Sequence, residues 1–485
     1  MFYKNKKFYI TTTLPYVNAD PHIGFALEII QADVVARYYR NNGYEVFFNT
    51  GTDEHGLKIF RGAQKENISP KEYCDIYAKK NKELKDVLNL SYNSFVRTTG
   101  QYHISSAQEF WNRCHKNGDI YKKNYKIKYC VGCELEKTES ELVNGKCPIH
   151  PNREIEIIEE ENYFFKYSKY QKILLDFYKK NKNFVVPDSK FNEIKEFTKR
   201  GLEDFSISRL KEKMPWGVPV PNDEKHVMYV WFDALVSYVS ALGWPDNLKS
   251  FQNFWPGLQV AGKDNLRQQS SMWQAMLLSA GLPNSKQIFI HGFITVNGQK
   301  MSKSLGNVID PFELVKKYGT DAVRYYLLRE ILPTEDGDFT YEKFEQRYNA
   351  DLAGGIGNLV ARVLGISTKI SNFQFSISNK FSNSQLKKEI KNTQKRVVEK
   401  LEEFKFNEAL RSIWELISWC DKYINDEKLW ETLPAGRQEK IRKVGDLFFS
   451  LNEIAGLLNP FLPETSEKIK SAITTGKSEN LFPRL

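Results

Sequence analysis

The segment KFYITTTLPYVNADPHIG, residues 7–24, contains the clearest signals for the class of fold of this chain. Its first part, Lys7–Thr12, is rich in aromatic and β-branched residues and is followed by Pro15, which predicts a buried strand and then a loop. Asp20 and Pro21 predict the N-cap and the first residue of a helix, because apolar residues recur at helical spacing in the segment that follows. The stretch therefore predicts a strand, a loop and a helix.

The segment after this helix completes a strand–helix–strand unit. Gly43 is expected to end the helix, and Tyr44–Phe48 predicts a second strand that leads into the loop TGTDEHG, residues 50–56. Such a unit implies a parallel sheet, and parallel sheets bind ligands at the carboxyl ends of their strands.

Length and composition limit the classes of protein to which the chain can belong. Its 485 residues are too many for a single core, and 41% hydrophobic residues exclude a disordered or fibrous protein. A net charge of +10 suits a polyanionic partner but does not prove one. The most apolar stretch, His226–Trp244, is interrupted by polar residues and is too short to cross a membrane, and no signal peptide precedes the first strand. We expect a soluble, cytoplasmic protein without a membrane partner.

Shifts in residue pattern predict an α/β protein with a split sheet. Lys, Glu and Asn dominate from Tyr121, apolar alternation returns at His226–Trp244 and Gln287–Val296, and helical periodicity prevails beyond Glu345. We predict a split Rossmann-type parallel-sheet catalytic domain with an inserted zinc-binding domain, followed by an all-α helical bundle. The predicted boundaries are residues 1–120 for the first half of the sheet, 121–225 for the insertion, 226–295 for the second half, 296–347 for a linking domain and 348–485 for the bundle.

Two short motifs point to phosphate chemistry. His22 and Gly24 lie at a helix start, where backbone amides and the helix dipole favour a phosphate and where glycine allows close approach of a nucleotide. Lys300 and Lys303 belong to the sequence KMSKS, residues 300–304, whose two ammonium groups can clamp a triphosphate and stabilise charge on a departing pyrophosphate. Taken singly, a solvated cap histidine and a solvated charge run are the alternatives.

Three cysteines and a histidine have the spacing of a metal site. Cys130 and Cys133 form one pair, and Cys147 and His150 form a second pair after thirteen intervening residues. Four such ligands complete a tetrahedron around Zn²⁺ and leave no open position, so we predict one structural zinc ion per chain. A chance cluster of inert cysteines is the alternative.

Longer phrases carry a resemblance to a known family. The phrases are TTTLPYVNADPHIG, TGTDEHG, YVWFDAL, GKD, HGFITVNGQKMSKSLGN and YNADLA, and they occur in this order. From about Lys7 to its C-terminus, the chain resembles the class I aminoacyl-tRNA synthetases, with their HIGH-type and KMSKS sequences. Among these it is similar to the methionine-specific family of the compact bacterial type with a single zinc knuckle.

The resemblance implies an ATP-dependent ligase that activates L-methionine as methionyl-adenylate and transfers it to elongator and initiator tRNA(Met), with Mg²⁺ accompanying ATP. It implies catalysis by His22, Lys300 and Lys303. The implied ATP-binding residues are these three together with Gly24, Gly262 and Asp264. The implied methionine pocket consists of Leu14, Tyr16, Asp53, Trp231, Ala234, Tyr238, Asn265 and Gln269. The implied anticodon-binding residues are Trp430, Asn349, Asn358 and Arg362.

Three positions depart from the family's pattern. Phe25 stands where the HIGH-type sequence has its second histidine, Asn265 replaces an aliphatic residue, and Gln269 replaces a histidine. These departures favour an alternative, a catalytically inactive relative that binds tRNA. A small-molecule nucleotidyltransferase is a second alternative, although it would not need a helical bundle with Trp430, which could equally be a core residue. We expect a monomer.

Overall fold

The computed structural model describes residues 6–133, 135–137, 141–301, 306–370, 383–431, 437–477 and 479–485. The strands are β1 (Lys7–Thr12), β2 (Glu45–Thr52), β3 (Ser94–Arg97), β4 (Ile120–Cys130), β5 (Leu135–Glu136), β6 (Glu156–Phe165), β7 (Val185–Val186), β8 (Phe205–Ser206), β9 (Ser208–Leu210), β10 (Pro219–Val220), β11 (Asp223–Met228), β12 (Leu258–Gly262), β13 (Gln287–His291), β14 (Ile294–Val296), β15 (Gln299–Lys300) and β16 (Gly337–Phe339).

The helices are α1 (Ile23–Asn41), α2 (Leu57–Glu66), α3 (Pro70–Val87), α4 (Gln101–Lys116), α5 (Gln171–Lys180), α6 (Asp188–Arg200), α7 (Val230–Leu235), α8 (Ser237–Ser240), α9 (Leu248–Phe254), α10 (Trp273–Ser279), α11 (Pro311–Tyr318), α12 (Thr320–Arg329), α13 (Tyr341–Arg347), α14 (Asn358–Thr368), α15 (Ser384–Glu402), α16 (Phe406–Asp426), α17 (Arg437–Leu458) and α18 (Pro463–Thr475). The chain divides into two compact units. The first comprises Met1–Pro21, Tyr39–Lys85 and Ser91–His291, and the second comprises His22–Tyr38, Asp86–Leu90 and Gly292–Leu485.

A parallel sheet of six strands, in the order β3-β2-β1-β12-β13-β7, organises the first unit. Its central strands are buried almost throughout, since only the first residue of β1 is exposed and every residue of β12 is buried. The carboxyl ends of β1 and β2 lie side by side, with Thr11 opposite Asn49. This edge of the sheet is where ligands of open parallel sheets bind.

The start of α1 differs from the expectation. The helix begins at Ile23, not at Pro21, and Asp20 is not its N-cap, because the Asp20 carboxylate accepts a hydrogen bond from Lys80 at 2.6 Å. The backbone N–H of Ile23 donates instead to the carbonyl of Ile309 at 3.0 Å. Tertiary partners thus replace the local cap that the sequence predicted.

The second half of the sheet also differs in detail. The stretch His226–Trp244 is not a strand of this sheet, because β11 ends at Met228 in a small antiparallel sheet and the helices α7 and α8 follow. The second half is formed by β12 and β13. β12 was missed because a strand buried on both faces shows no alternation of apolar and polar residues. β7, from within residues 121–225, completes the sheet at its edge.

A long antiparallel hairpin carries the metal-ligand cluster. β4 pairs with β6 from Ile120 opposite Phe165 to Tyr129 opposite Glu156. Cys130 is the last residue of β4, so the hairpin holds the first metal ligand at its end.

The second unit is mainly helical, in accord with the predicted bundle. Helix α16 buries Leu410, Ile413 and Ile417 at helical spacing, and α17 buries Leu451, Ile454 and Leu458 in the same way. In the part of the chain that the structure describes, no helix is both long and apolar enough to cross a bilayer.

A buried arginine ties helices of this unit together. The Arg324 guanidinium donates to the Asp33 carboxylate at 2.8 Å and to the carbonyls of Leu88 at 3.0 Å, Pro460 at 3.1 Å and Phe461 at 2.7 Å. Both charged side chains are fully buried. The network therefore joins α12 to α1 and to the turn between α17 and α18.

Candidate active site

A carboxylate and an aromatic ring lie together where β1 and β2 end. Asp53 and Tyr16 form an isolated parallel bridge, in which the N–H of Val17 donates to the Asp53 carbonyl at 3.2 Å and the N–H of Asp53 donates to the Pro15 carbonyl at 3.0 Å. Asp53 is buried and Tyr16 is half-buried. A buried carboxylate beside an aromatic ring suits an ammonium group on a small substrate.

Two anchors fix the loop that carries Asp53. Glu54 is fully buried and accepts two hydrogen bonds from the Arg97 guanidinium, at 2.6 and 2.9 Å. His55 Nδ1 contacts the Asp233 carboxylate at 2.7 Å, and the His55 carbonyl accepts a hydrogen bond from the Tyr16 hydroxyl. The two residues that follow Asp53 are thus each held by a side-chain partner, which restricts the motion of this loop.

Asp233 is the centre of a buried group of three ionisable side chains. Its carboxylate lies between His55 and His103, whose Nε2 is 2.8 Å from the second carboxylate oxygen. Burial raises the pKa of Asp233, but the two imidazoles outweigh it and hold the pKa below its ordinary value. Of the phrase TGTDEHG, only Asp53 was predicted as a site residue; the histidine of the same phrase, His55, is the sequence signal for this buried group.

An aromatic layer forms the next wall of the site. Tyr16 and Trp231 both pack against a buried cluster that contains Tyr129 and Tyr229. The Arg209 guanidinium lies 5.5 Å from the Tyr129 ring and 4.5 Å from the Tyr229 ring. The indole N–H of Trp231 is buried and has no hydrogen-bond partner among the described residues. The predicted pocket residues Tyr16 and Trp231 therefore pack against the same buried aromatic cluster.

The remaining pocket residues follow on α7, α8 and the segment after β12. Ala234 and Tyr238 are buried, and Gln269 donates a hydrogen bond to the Tyr238 hydroxyl at 2.6 Å. Leu14 is half-buried. The Asn265 amide donates to the Asp264 carboxylate at 3.1 Å.

Gly262 and Asp264, the predicted adenosine-binding residues, lie where β12 ends. Gly262 is the last residue of β12, and Asp264 is exposed in the short turn that follows. A carboxylate in this position can accept hydrogen bonds from ribose hydroxyls.

In the second unit, His22 immediately precedes α1. The backbone N–H of Gly24 donates to His22 Nδ1 at 3.1 Å, so Nδ1 is an acceptor and the ring hydrogen is on Nε2. His22 is an exposed residue, yet the surrounding protein lowers the pKa of its imidazole by desolvating the charged form. The neutral imidazole therefore presents one defined donor.

Gly24 also has a steric reason to be glycine. A Cβ atom at this position would lie 2.9 and 3.0 Å from two atoms of the His22 ring and 3.5 Å from the Met301 side chain. Any larger residue would displace the imidazole.

The second motif lies only partly in the described structure. Lys300 ends β15 and is exposed, with Nζ 5.8 Å from the centre of the Phe293 ring. Lys303 lies outside the described residues. Phe25, at the position of the missing histidine, is half-buried, and its N–H donates to the His22 carbonyl at 3.0 Å.

The four predicted metal ligands converge. The ligand atoms of Cys130, Cys133, Cys147 and His150 all lie within 4.8 Å of one another. Cys133 Sγ is 3.2 Å from His150 Nδ1 and 3.4 Å from Cys147 Sγ, near the separation of about 3.8 Å expected on a tetrahedron with Zn–S bonds of about 2.3 Å. A Cβ on Gly132 would lie 2.5 Å from the His150 ring, so only glycine fits between the cysteines. The group can bind a metal ion.

The structure gives the four predicted anticodon-binding residues different surroundings and different hydrogen-bond partners. Trp430 is 43% exposed, which excludes the core alternative. Arg362 donates to Asp421 at 2.7 Å and to Asn425 at 2.6 Å on α16, the helix that ends four residues before Trp430. Two asparagines differ from Arg362 in their surroundings. Asn358 is exposed and lines a cavity of about 710 Å³, and Asn349 accepts a hydrogen bond from the N–H of Leu485 at 3.0 Å.

Sequence comparison with known families defines the class. Residues 8–155 and 137–364 match the family described as tRNA synthetases class I (M), and residues 383–482 match the anticodon-binding domain of tRNA ligases. Together with the parallel sheet and the helical second unit, this match places the chain in class I of the tRNA synthetases.

Individual relatives narrow the class to one family. The chain is 44% identical over 474 residues to a methionine–tRNA ligase of Thermotoga maritima, covering 96% of this chain and 74% of the relative. It is 43% identical over 487 residues to a methionine–tRNA ligase of a Nostoc species, covering 98% and 91%. The Mycobacterium tuberculosis methionyl-tRNA synthetase in complex with methionyl-adenylate superposes with a TM-score of 0.92 at 33% identity, covering 99% of this chain and 100% of that one. The chain belongs to the methionine–tRNA ligase family.

Proposed function

We propose that this chain joins methionine to tRNA(Met), both elongator and initiator, through a methionyl-adenylate intermediate. The observation that carries the assignment of the amino-acid pocket is the convergence of Asp53, Tyr16 and Trp231 at the carboxyl ends of β1 and β2. Asp53 binds the ammonium group of methionine, and the aromatic rings with Leu14, Ala234 and Tyr238 surround its side chain. Sulfur against aromatic rings is a favourable contact.

In the first step, the carboxylate oxygen of methionine attacks the α-phosphorus of ATP, and the bond to pyrophosphate breaks. His22 Nε2–H donates to a phosphate oxygen, because Nδ1 is already engaged by Gly24. Lys300 and Lys303 neutralise charge on the departing pyrophosphate, and Gly262 with Asp264 binds the adenosine. Mg²⁺ accompanies ATP as its counterion. These groups act by positioning and by charge stabilisation, which needs no protein nucleophile.

In the second step, a terminal ribose hydroxyl of tRNA attacks the acyl carbon, and AMP leaves. Trp430 stacks on an anticodon base, supported by its exposure, while Asn349, Asn358 and Arg362 flank the same RNA. Cys130, Cys133, Cys147 and His150 would hold one structural Zn²⁺, which would stabilise the end of the β4–β6 hairpin. We propose that the chain works as a monomer in the cytoplasm, where translation supplies its tRNA.

The test is pyrophosphate exchange into ATP, with methionine beside leucine, isoleucine, valine and cysteine. We expect exchange with methionine alone. His22→Asn should lower the rate by about 10²- to 10³-fold because a donor to the transition state is lost. The matched control is His115→Asn, which changes an exposed histidine in the last turn of α4.

Exchange with another amino acid would overturn the pocket assignment. Folded, zinc-loaded protein without any exchange would favour the inactive tRNA-binding alternative. A rate equal to that of His115→Asn in the His22→Asn variant would exclude His22 from catalysis.

A further inference from the structure

Trp216 holds the loop that follows Asp53 at two points. Its indole N–H donates to the Glu54 carbonyl at 2.6 Å, and its own carbonyl accepts a hydrogen bond from the backbone N–H of Gly56 at 3.0 Å. Trp216 lies between β9 and β10, 162 residues further along the chain than Glu54. The two hydrogen bonds therefore bracket His55 and connect the loop to a segment that is remote in sequence.

The indole N–H is the stronger of two donors to the Glu54 carbonyl. Glu54 is fully buried, so water does not satisfy its backbone groups. The second donor is the Cys74 thiol, whose sulfur is 3.4 Å from the carbonyl oxygen. Burial raises the pKa of Cys74 to about 12, so the thiol keeps its hydrogen, but S–H is a weak donor. Loss of the indole N–H would thus leave a buried carbonyl with a weak partner.

The two halves of the loop depend on different parts of the chain. The first half is held by nearby strand ends, because the N–H of Asp53 donates to the Pro15 carbonyl at 3.0 Å and the N–H of Glu54 donates to the Thr98 hydroxyl at 2.9 Å. The second half ends at Gly56, whose φ of +113° lies in the region that favours glycine. Glycine restricts the backbone least, so the hydrogen bonds of Trp216 supply the restriction here.

We propose that Trp216 is a positioning residue for the ammonium contact, because its two hydrogen bonds fix the path of the loop that places the Asp53 carboxylate. The inference rests on the proposed function, which assigns the ammonium group of methionine to Asp53. A charge-assisted hydrogen bond depends on accurate geometry, so a small shift of the loop weakens ammonium binding. The pocket for the methionine side chain is built from other segments and should change less.

The experiment isolates the ammonium contact with two alcohols, L-methioninol and 4-(methylthio)butan-1-ol. They differ only in the amino group, and neither has the carboxylate needed for activation, so both are tested as inhibitors of pyrophosphate exchange. The measured quantity is the Ki of the second alcohol divided by that of the first. Trp216→Phe keeps an aromatic ring and removes the N–H. We expect this change to lower the ratio by about 3- to 10-fold, the effect of one neutral hydrogen bond.

Two further variants separate the N–H from the bulk of the ring. Trp216→His keeps an N–H, since Nε2 of an imidazole occupies the ring position of the indole nitrogen, and its ratio should stay above that of Trp216→Phe. Equally low ratios in both would mean that ring bulk matters and would overturn the proposal. The matched control is Trp255→Phe, which removes an indole hydrogen bond of 2.8 Å to the Pro283 carbonyl and should leave the ratio unchanged.

An Asp53→Asn background shows whether Trp216 acts through the carboxylate. In that background Trp216→Phe should lower the ratio no further, because the charge that it positions is gone. An equal fall of the ratio in both backgrounds would overturn the proposal. So would Ki values that rise equally for the two alcohols in Trp216→Phe, since the effect would then not concern the ammonium group.

Failure of the proposed function is seen separately in the unsubstituted chain. A chain without exchange in the presence of methionine would overturn the proposed function and the role of Trp216 with it. Equal Ki values for the two alcohols would overturn the ammonium contact. An active chain that prefers L-methioninol and keeps its ratio in Trp216→Phe would overturn the role of Trp216 alone. Should Trp216→Phe fail to fold, Trp216→Tyr also lacks the ring N–H and serves the same test.

Discussion

Replacing Arg324 by methionine should destabilise the second unit of the chain. The guanidinium makes four hydrogen bonds, three of them to backbone carbonyls of Leu88, Pro460 and Phe461 and the fourth to Asp33. Methionine fills most of the volume but donates nothing. The change therefore leaves a buried carboxylate and three carbonyl groups without this donor.

The magnitude follows from the burial of the pair. Removing one partner of a fully buried ion pair costs about 3–5 kcal/mol, because the other charge is left without compensation. We expect the lower part of this range, since Arg37 Nε remains 2.7 Å from the same Asp33 oxygen. Even 3 kcal/mol is a large part of the total stability of a domain, which is about 5–15 kcal/mol.

Native-state hydrogen exchange measures this loss where it occurs, without assuming that the whole chain unfolds in one step. In Arg324→Met, peptides that cover Asp86–Leu90 and the start of α18 should exchange about 10²-fold faster, since about 1.4 kcal/mol corresponds to a factor of ten. Peptides from β1, in the first unit, serve as the internal reference. Arg411→Met, at an exposed position of α16, is the matched control.

The reasoning would be refuted by a loss below about 1 kcal/mol. It would also be refuted if the losses in Arg324→Met and Asp33→Asn simply added in the double variant. Two residues that form one network should cost less together than the sum of their separate changes.

Three further predictions concern the metal site, a buried carboxyl group and the anticodon contact. Chelation of the Zn²⁺ that we propose for the cysteine and histidine cluster should raise the KM for methionine, because Val131 and Trp231 pack on the same aromatic cluster; an unchanged KM in metal-free, folded protein would contradict this. Burial raises the pKa of Asp321 to about 6, so the folded state binds more protons than the unfolded state between about pH 4 and 6. Its contribution to the free energy of unfolding should fall there by about 1.4 kcal/mol per pH unit as the pH rises, and Asp321→Asn should remove this slope in urea titrations. Trp430→Ala should lower kcat/KM for tRNA by about 5- to 150-fold without changing pyrophosphate exchange, and a parallel loss of exchange would argue against a role confined to RNA.

Local patterns predicted most of the elements that carry chemistry. Lys7–Thr12 was recognised as a strand from its own residues, and the four metal ligands were recognised from their spacing, because both properties depend on neighbours in sequence. β12 was missed, and α1 was predicted to begin too early. In each case the contacts that determine the element come from residues far away in sequence. Lys80, for example, donates a hydrogen bond to the Asp20 carboxylate, which therefore does not cap the helix.

The predicted amino-acid pocket likewise contains residues that were recognised from the sequence and residues that were recognised only from their contacts in the structure. The resemblance named Tyr16, Asp53 and Gln269 as pocket residues, and the structure now gives each a specific neighbour. His103 was not predicted, since it stands in no phrase that resembles the family and joins the buried group only through its contact with Asp233. Phe25 departs from the family's pattern, and the contact that the structure gives it is a hydrogen bond from its N–H to the His22 carbonyl.

Sequence patterns and the family resemblance were therefore enough to predict the class of fold, the order of its parts and the four residues of the candidate metal site, whereas the roles of the two phosphate motifs stay predictions. Tertiary contacts settle instead which polar groups share the interior: Asp233 lies between two histidines, Arg324 lies among three carbonyls, and Gln269 lies against the Tyr238 hydroxyl. The physical reason is that period and spacing are properties of a short segment. The cost of burying a polar group is instead settled by whichever partner the folded chain brings within hydrogen-bond distance, however far away that partner lies in sequence.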